Sequence, residues 1–355
     1  MTRTLDPYGL TAARAHGRPG RELRPASMTI DMHSHVGVPE AAALVAPHLD
    51  LSTVPLAHFA NAQTKAINRQ QEVDRAPCFT DLAVRLGHMD AMGVDMQVVM
   101  PPPPQCYYTV TPELGAKAAR IVNDGIAEFV SRKPDRFVAL GTVPMQDSAA
   151  AMAELERCMS TLGFRGVQVL TNVAGNELSD PAYAPFWAKA EELGAVVLLH
   201  PNGFTQGERL TRFYFNNVVG NPLETTLALH YLIFDGVLER HPKLKIIAVH
   251  GGGYLASYSG RIDHVWGARE DGNAGLPHPP TTYLKRVWFD TVVFTPHQLD
   301  NLIRVFGPER LMMGTDYPFD MGEYDPVGHV ASVPGITPET MAALCGGNAR
   351  ALFSV

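Results

Sequence analysis

The sequence predicts one α/β chain closed into a (β/α)₈ TIM-type barrel, with an insertion after the first strand. Eight short apolar runs alternate with longer helical patterns, the rhythm of a parallel sheet built from βα units. Residues suited to metal binding or proton transfer stand at the carboxyl ends of several runs, where barrel active sites lie. The 355 residues also suffice for one barrel, about 250 residues before insertions. An open doubly wound sheet is the rival. It ordinarily carries a Gly-rich phosphate loop after its first strand, whereas this first run ends in His33-Ser34-His35.

The strands are expected at 29–33, 95–100, 136–142, 166–171, 195–200, 244–250, 286–291 and 310–315. Helices are expected at 80–92, 112–132, 147–162, 182–193, 221–239, 254–268, 296–306 and 337–346. Thr111-Pro112 reads as an N-cap followed by proline at the first helical position. Gly194 and Pro242 stop the helices before the fifth and sixth strands. Residues 37–79 break the rhythm and read as the insertion, on the active-site side. Pro101–Pro104 read as a stiff loop at the barrel mouth, and 270–282 as a long surface loop. Met28 opens the barrel unit, 28–355. Residues 1–27 then form an N-terminal arm, loose and open to disorder.

Composition narrows the function classes. The formal net charge of −7 argues against a nucleic acid or an anionic membrane as general partner. No run of about 18 apolar residues suggests a membrane span. Cys78, Cys106, Cys158 and Cys345 are scattered with no CxxC pair, which suggests reduced thiols and a cytoplasmic protein.

His33 and His35, at i and i+2 on a strand, share one face. Such a pair alone is a weak metal signal. His200 ends the fifth run, His250 the sixth and Asp316 the eighth, and five strand-end residues of this chemistry are hard to explain by packing. His33, His35, His200 and Asp316 give one divalent ion three nitrogens and an oxygen. Zinc suits that set best, ahead of manganese, iron or cobalt. The fourth strand, Gly166–Thr171, offers no Lys or Glu to bridge a second ion, so one metal is expected. His250 is left as the acid/base, with Asp316 beside it. Gly251–Gly253 reads as a tight turn rather than a phosphate nest, and His230, His264 and His297 as helix or surface residues.

Asp31-Met32-His33-Ser34-His35, His200-Pro201, His250-Gly251-Gly252-Gly253, Gly260-Arg261-Ile262-Asp263, Gly314-Thr315-Asp316-Tyr317-Pro318-Phe319 and Gly346-Gly347-Asn348-Ala349 together resemble the amidohydrolase superfamily. Within it they are most similar to the branch of aminocarboxymuconate-semialdehyde decarboxylase and its relatives. The resemblance runs from Met28 to the C-terminus. It implies the same four ligands and a catalytic His250. It implies that Arg261 and Arg269 reach the substrate carboxylate of a neighbouring subunit in a homodimer with shared active sites. It also implies an aromatic wall near Phe213. The family's further substrate arginine stands shortly before the first barrel helix, where Arg69, Arg75 and Arg85 are the candidates. The expected activity is non-oxidative decarboxylation of an unsaturated or aromatic acid, hydroxybenzoate- or muconate-type, with a small-molecule carboxylate as partner. A hydrolase or hydratase on the same site is the rival, and a non-catalytic metal-binding barrel a more distant one. Deamination is disfavoured, because Pro201-Asn202-Gly203 after His200 brings no Glu to serve a leaving amine.

Overall fold

The structure, a computed structural model, describes residues 20–355. Eight parallel strands follow one another in chain order: β1 (Ile30–His35), β2 (Met96–Met100), β3 (Phe137–Ala139, continued by Gly141–Thr142), β4 (Gly166–Leu170), β5 (Val196–His200), β6 (Lys245–Ala248), β7 (Trp288–Asp290) and β8 (Leu311–Met312). The third strand pairs with β2 through Val138 and with β4 through Gly141, so it belongs to both neighbours. Met32 N–H donates to Met313 O (2.9 Å), Asp316 N–H to His33 O (2.8 Å) and His35 N–H to Tyr317 O (2.7 Å). These bonds tie the segment after β8 to β1 and complete the ring.

Alternation sorts the strand side chains into two cores. Val196 and Leu198 join Ile30, Met32, Val98, Met100, Leu140, Ile247, Val249 and Met312 in an inner cluster. Val197 and Leu199 face the helical layer with Val167, Val169, Ile246 and Ala248. On β5 this parity carries His200 inward. On β1 it would not carry His33 or His35, because Ile30 and Met32 already hold the inner positions. A register shift between Asp31 and Ser34 resets the count, as a bulge does. Leu352 and Phe353 of the last helix join the inner cluster, and Arg165, just before β4, donates to Ser354 O. That helix therefore packs at the amino ends of the strands and leaves the carboxyl ends to the site.

The helices fall where the periodicity puts them. Thr111 accepts from Leu114 N–H as an N-cap, and Gly194 closes Ala184–Leu193 in the left-handed conformation (φ 62°). The insertion is more ordered than its mixed composition suggests. It holds helices Pro39–Val45, Pro55–His58 and Ala62–Thr80, the last of which meets the expected first barrel helix, observed as Leu82–Met92. The long helix was not legible because it is polar nearly all round, with only Thr64 and Arg75 buried.

The expected loose arm divides. Residues 1–19 lie outside the described residues. Residues 20–27 are attached: Gly20 N–H donates to Asp325 (3.1 Å), and Arg24 pairs with Asp95.

Candidate metal centre

His33, His35, His200, His250 and Asp316 converge at the carboxyl end of the barrel. Ligand atoms of His33, His200, His250 and Asp316 all lie within 4.8 Å of one another. His35 Nε2 stands 3.2 Å from His33 Nε2 and 3.0 Å from Asp316 Oδ1. The His250 Nε2 atom is 3.3 Å from Asp316 Oδ2. The turn Gly251–Gly253 runs at φ 62°, 75° and 72°, and a Cβ on Gly253 would stand 2.3 Å from Pro222 O, so the backbone bends tightly as expected. His250 and Asp316 are themselves left-handed, at φ 56° and 61°. Non-glycine residues hold that strained conformation only where the surroundings impose it, commonly at functional sites.

The opposite ring nitrogens separate the histidines. His35 Nδ1 donates to Pro101 O (3.0 Å) and His200 Nδ1 to Pro201 O (2.7 Å). A carbonyl only accepts, so both rings carry their proton on Nδ1 and present an Nε2 lone pair. His33 Nδ1 donates to Asp290 Oδ2 at 2.7 Å in the same sense. A partner on the far nitrogen is the usual brace of a metal-binding imidazole. Among the described residues His250 Nδ1, itself buried, has no hydrogen-bond partner, and its side chain keeps 15% exposure where that of His33 keeps none.

The residues fit a divalent cation. His200 Nε2 is buried without a hydrogen-bond partner, 3.8 Å from Asp316 Oδ1, an arrangement a cation would satisfy. Burial pushes His200 down to about 3 and lowers His35, so both stay neutral, as ligands must. Burial opposes charge on His33 too, but Asp316, Asp290 and Asp31 outweigh it and raise its pKa. Burial would raise Asp316, yet His33 and its contacts with His200, His250 and His35 hold it well below the usual carboxylate range. The group is a single divalent-metal site: four imidazoles around one carboxylate.

Two carboxylates brace it. Asp31 Oδ1 accepts from the backbone N–H groups of His33 and Thr315, and its Oδ2 accepts from Thr315 Oγ1 (2.6 Å) and Gln97 (2.8 Å). Burial raises it to about 6. Asp290 was missed in the sequence, although it ends β7 and carries the strand-end signal that found the others.

The other expected residues are not at the cluster. Phe213 is 69% exposed and packs against Phe215 and Arg212, which corrects the aromatic wall. Both 213 and 214 are left-handed, and it is the Tyr214 hydroxyl that feels Asp316 and Asp320, after burial, in its raised pKa. Arg269 is exposed and paired with Asp271 (2.7 Å). Arg261 is exposed on helix Leu255–Ala268 and lines a surface groove that includes no residue of the cluster. Arg69 is exposed. Arg85 is fully buried and donates to Gln97 and to the carbonyls of Cys78 and His35, so it supports the backbone of β1. Arg75 is buried and donates to Tyr324 Oη (2.8 Å).

The amidohydrolase model matches residues 30–355. The chain belongs to the amidohydrolase family. This amidohydrolase is 35% identical over 327 residues to 2-amino-3-carboxymuconate-6-semialdehyde decarboxylase of Dictyostelium discoideum, covering 91% of this chain and 90% of that protein. It is 31% identical over 258 residues to gamma-resorcylate decarboxylase of Rhizobium radiobacter, covering 66% and 76% of the two chains. The crystal structure of 5-carboxyvanillate decarboxylase from Sphingomonas paucimobilis superposes with a TM-score of 0.79 at 27% identity, over 92% of this chain and 99% of that one.

Proposed function

We propose that this amidohydrolase is a metal-dependent decarboxylase that removes CO₂, without redox chemistry, from an unsaturated or aromatic acid of the hydroxybenzoate or muconate type. One observation carries the reading. Three imidazoles are locked as Nδ1–H tautomers that offer Nε2, while a fourth, His250, shares Asp316 with them and has no partner on Nδ1. Binding and proton transfer are thereby divided among residues of one type. The decarboxylases named above support the reaction class.

His33, His35, His200 and Asp316 would hold one ion, zinc by preference for three nitrogens and an oxygen, with manganese, iron or cobalt as substitutes. A divalent cation there supplies positive charge to orient an acid and to stabilise the electrons left behind by CO₂. The C–C bond to the carboxylate breaks, its electron pair stays on the ring or chain carbon, and a proton takes the vacated position. His250 delivers that proton and regains one from solvent. Asp316 Oδ2, 3.3 Å from His250 Nε2, orients the ring.

For the substrate carboxylate, Arg75 is the best placed of the three early arginines. It is buried, and its charge lowers the pKa of Tyr214, which also feels Asp316. Arg261 and Arg269 would serve a neighbouring subunit's site in a homodimer. Tyr254 (40% exposed) and Tyr258 (65%) stand beside Arg261 and give that surface an aromatic character suited to self-association. Among the described residues no helix is long and apolar enough to cross a membrane. The four unpaired cysteines fit a reducing, cytoplasmic setting.

The test is product chemistry in labelled water. With a hydroxybenzoate or muconate-type acid, the expected result is stoichiometric CO₂ and one deuterium from D₂O at the vacated carbon. Oxygen from labelled water in the organic product, with no CO₂, would replace this reading by hydrolysis or hydration.

A further inference from the structure

A second chamber opens on the metal-bearing face of the barrel. Its volume is 680 Å³, and none of the cluster residues lines it. The walls come from the insertion (Leu49–Phe59), the segment after β2 (Pro103–Val110), the segment after β4 (Leu170–Gly175) and the loop after β5 (Asn202–Thr205). All four leave the carboxyl ends of strands. The metal ligands come from β1, β5 and the segment after β8, so two of the chamber's walls follow directly on ligand-bearing strands.

The chamber is built rather than incidental. Leu56 N–H donates to Asn202 O (3.3 Å), and Asn216 Nδ2 donates to Pro55 O (2.8 Å), so the insertion is tied to the loop that follows His200. Asn221 and Asn216 accept from the N–H groups of Gly203 and Phe204, both at 2.8 Å. Glu224, buried, accepts from Thr205 N–H at 2.9 Å and from Asn172 at 3.0 Å. Gly203 sits at φ 82°, and a Cβ there would stand 2.5 Å from Leu56 N. Only glycine lets the two walls meet this closely.

Its chemistry is specific. Among the described residues no Asp, Glu, Lys or Arg lines it, and its one imidazole, His58, is exposed. The walls are Phe59, Tyr107, Tyr108, Val110 and Leu170, with hydroxyl and amide groups between them. The Tyr108 ring forms part of the wall, and its hydroxyl is buried behind it, near Thr142 and the Leu170 backbone. A charged group against the apolar walls would lose hydration and find only the exposed His58 as a possible counter-charge. A neutral aromatic group would bury its face against Phe59, Tyr107 and Val110. The volume lies within the range of about 300–1,000 Å³ usual for small-molecule sites.

We infer that this chamber is a binding site for a neutral, aromatic-sized group, next to the metal centre. Resting on the decarboxylase reading, it would accept the uncharged far end of an extended acid whose carboxylate lies at the metal.

The test uses 4-phenylphenol as probe and isothermal calorimetry on the metal-loaded protein, with no turnover involved. Decarboxylation and chamber therefore fail independently. One molecule of probe should bind per chain. Thr109→Trp, at the part-exposed wall, fills the chamber and should weaken binding by about tenfold or more. Melting temperature and metal content verify that the variant is folded. No binding by the wild-type protein, or equal binding by wild type and a folded Thr109→Trp, would overturn the inference.

Discussion

One carboxylate, Asp290, holds both His33 and the turn behind His250. Its Oδ2 accepts from His33 Nδ1 at 2.7 Å, and its Oδ1 accepts from the N–H of Gly251 at 2.8 Å. His33 and His250, the latter proposed for proton transfer, are thus referred to one rigid group at the end of β7. Burial would raise Asp290, but the bond from His33 and the charges of His33 and His250 keep it below its ordinary value, hence ionised.

Asp290→Asn should uncouple the two. An amide has one acceptor oxygen, so either His33 Nδ1–H or Gly251 N–H loses its partner in a buried site. Metal affinity is expected to fall by about 10- to 100-fold, as for other outer partners of metal-binding histidines. Competition against a chelator reads this directly. Unchanged affinity together with unchanged turnover would remove Asp290 from the design.

The division between binding and proton transfer is tested by replacement. His33→Ala, His200→Ala and Asp316→Ala should lose metal and activity together. His250→Ala should keep its metal and lose at least about 100-fold in turnover, the scale of general acid catalysis. Elemental analysis of the purified variants decides the matter. Loss of metal from His250→Ala with retention in His200→Ala would reverse the assignment. An active wild-type protein containing no metal would remove the centre altogether.

Metal uptake should depend on pH through His33. Its pKa is raised above 6.5 by the surrounding carboxylates against the effect of burial. A proton on Nε2 excludes the ion, so affinity is complete above the raised pKa and is lost as pH falls through it. The loss should begin above 6.5, higher than an ordinary histidine would give. Asp316 is held low and His200 sits at about 3, so neither titrates in that window. Chelator competition across about pH 5–9 measures it; a flat profile would count against this electrostatic picture.

A homodimer with exchanged arginines predicts complementation. Mixing Arg261→Ala with His250→Ala protein should restore part of the activity, because one pocket of each heterodimer is then whole. Light scattering should report a dimer. A fully active monomer, or a verified heterodimer without rescue, would return Arg261 to an ordinary surface role.

The sequence by itself determined the alternation of strands and helices and the positions of His33, His35, His200, His250 and Asp316 at strand ends. These features are local. Apolar periodicity, glycine stops such as Gly194 and the cap at Thr111 act within a few residues. What each imidazole does was decided by tertiary structure. The acceptors that fix the tautomers come from elsewhere in the fold: Pro101 for His35, from after β2, and Asp290 for His33, from β7. The inward turn of His33 and His35 needs the register shift on β1, which exists only when β1 pairs with β2. Arg85 and Arg75 look alike in sequence. One is spent on the backbone of β1 and the other reaches Tyr324, because their helices meet different parts of the barrel. Phe213 is exposed because a left-handed pair of residues, 213 and 214, turns its ring to solvent, which no local pattern signals. The chamber is assembled from four segments spread along the chain between Leu49 and Thr205, and only chain closure brings them together.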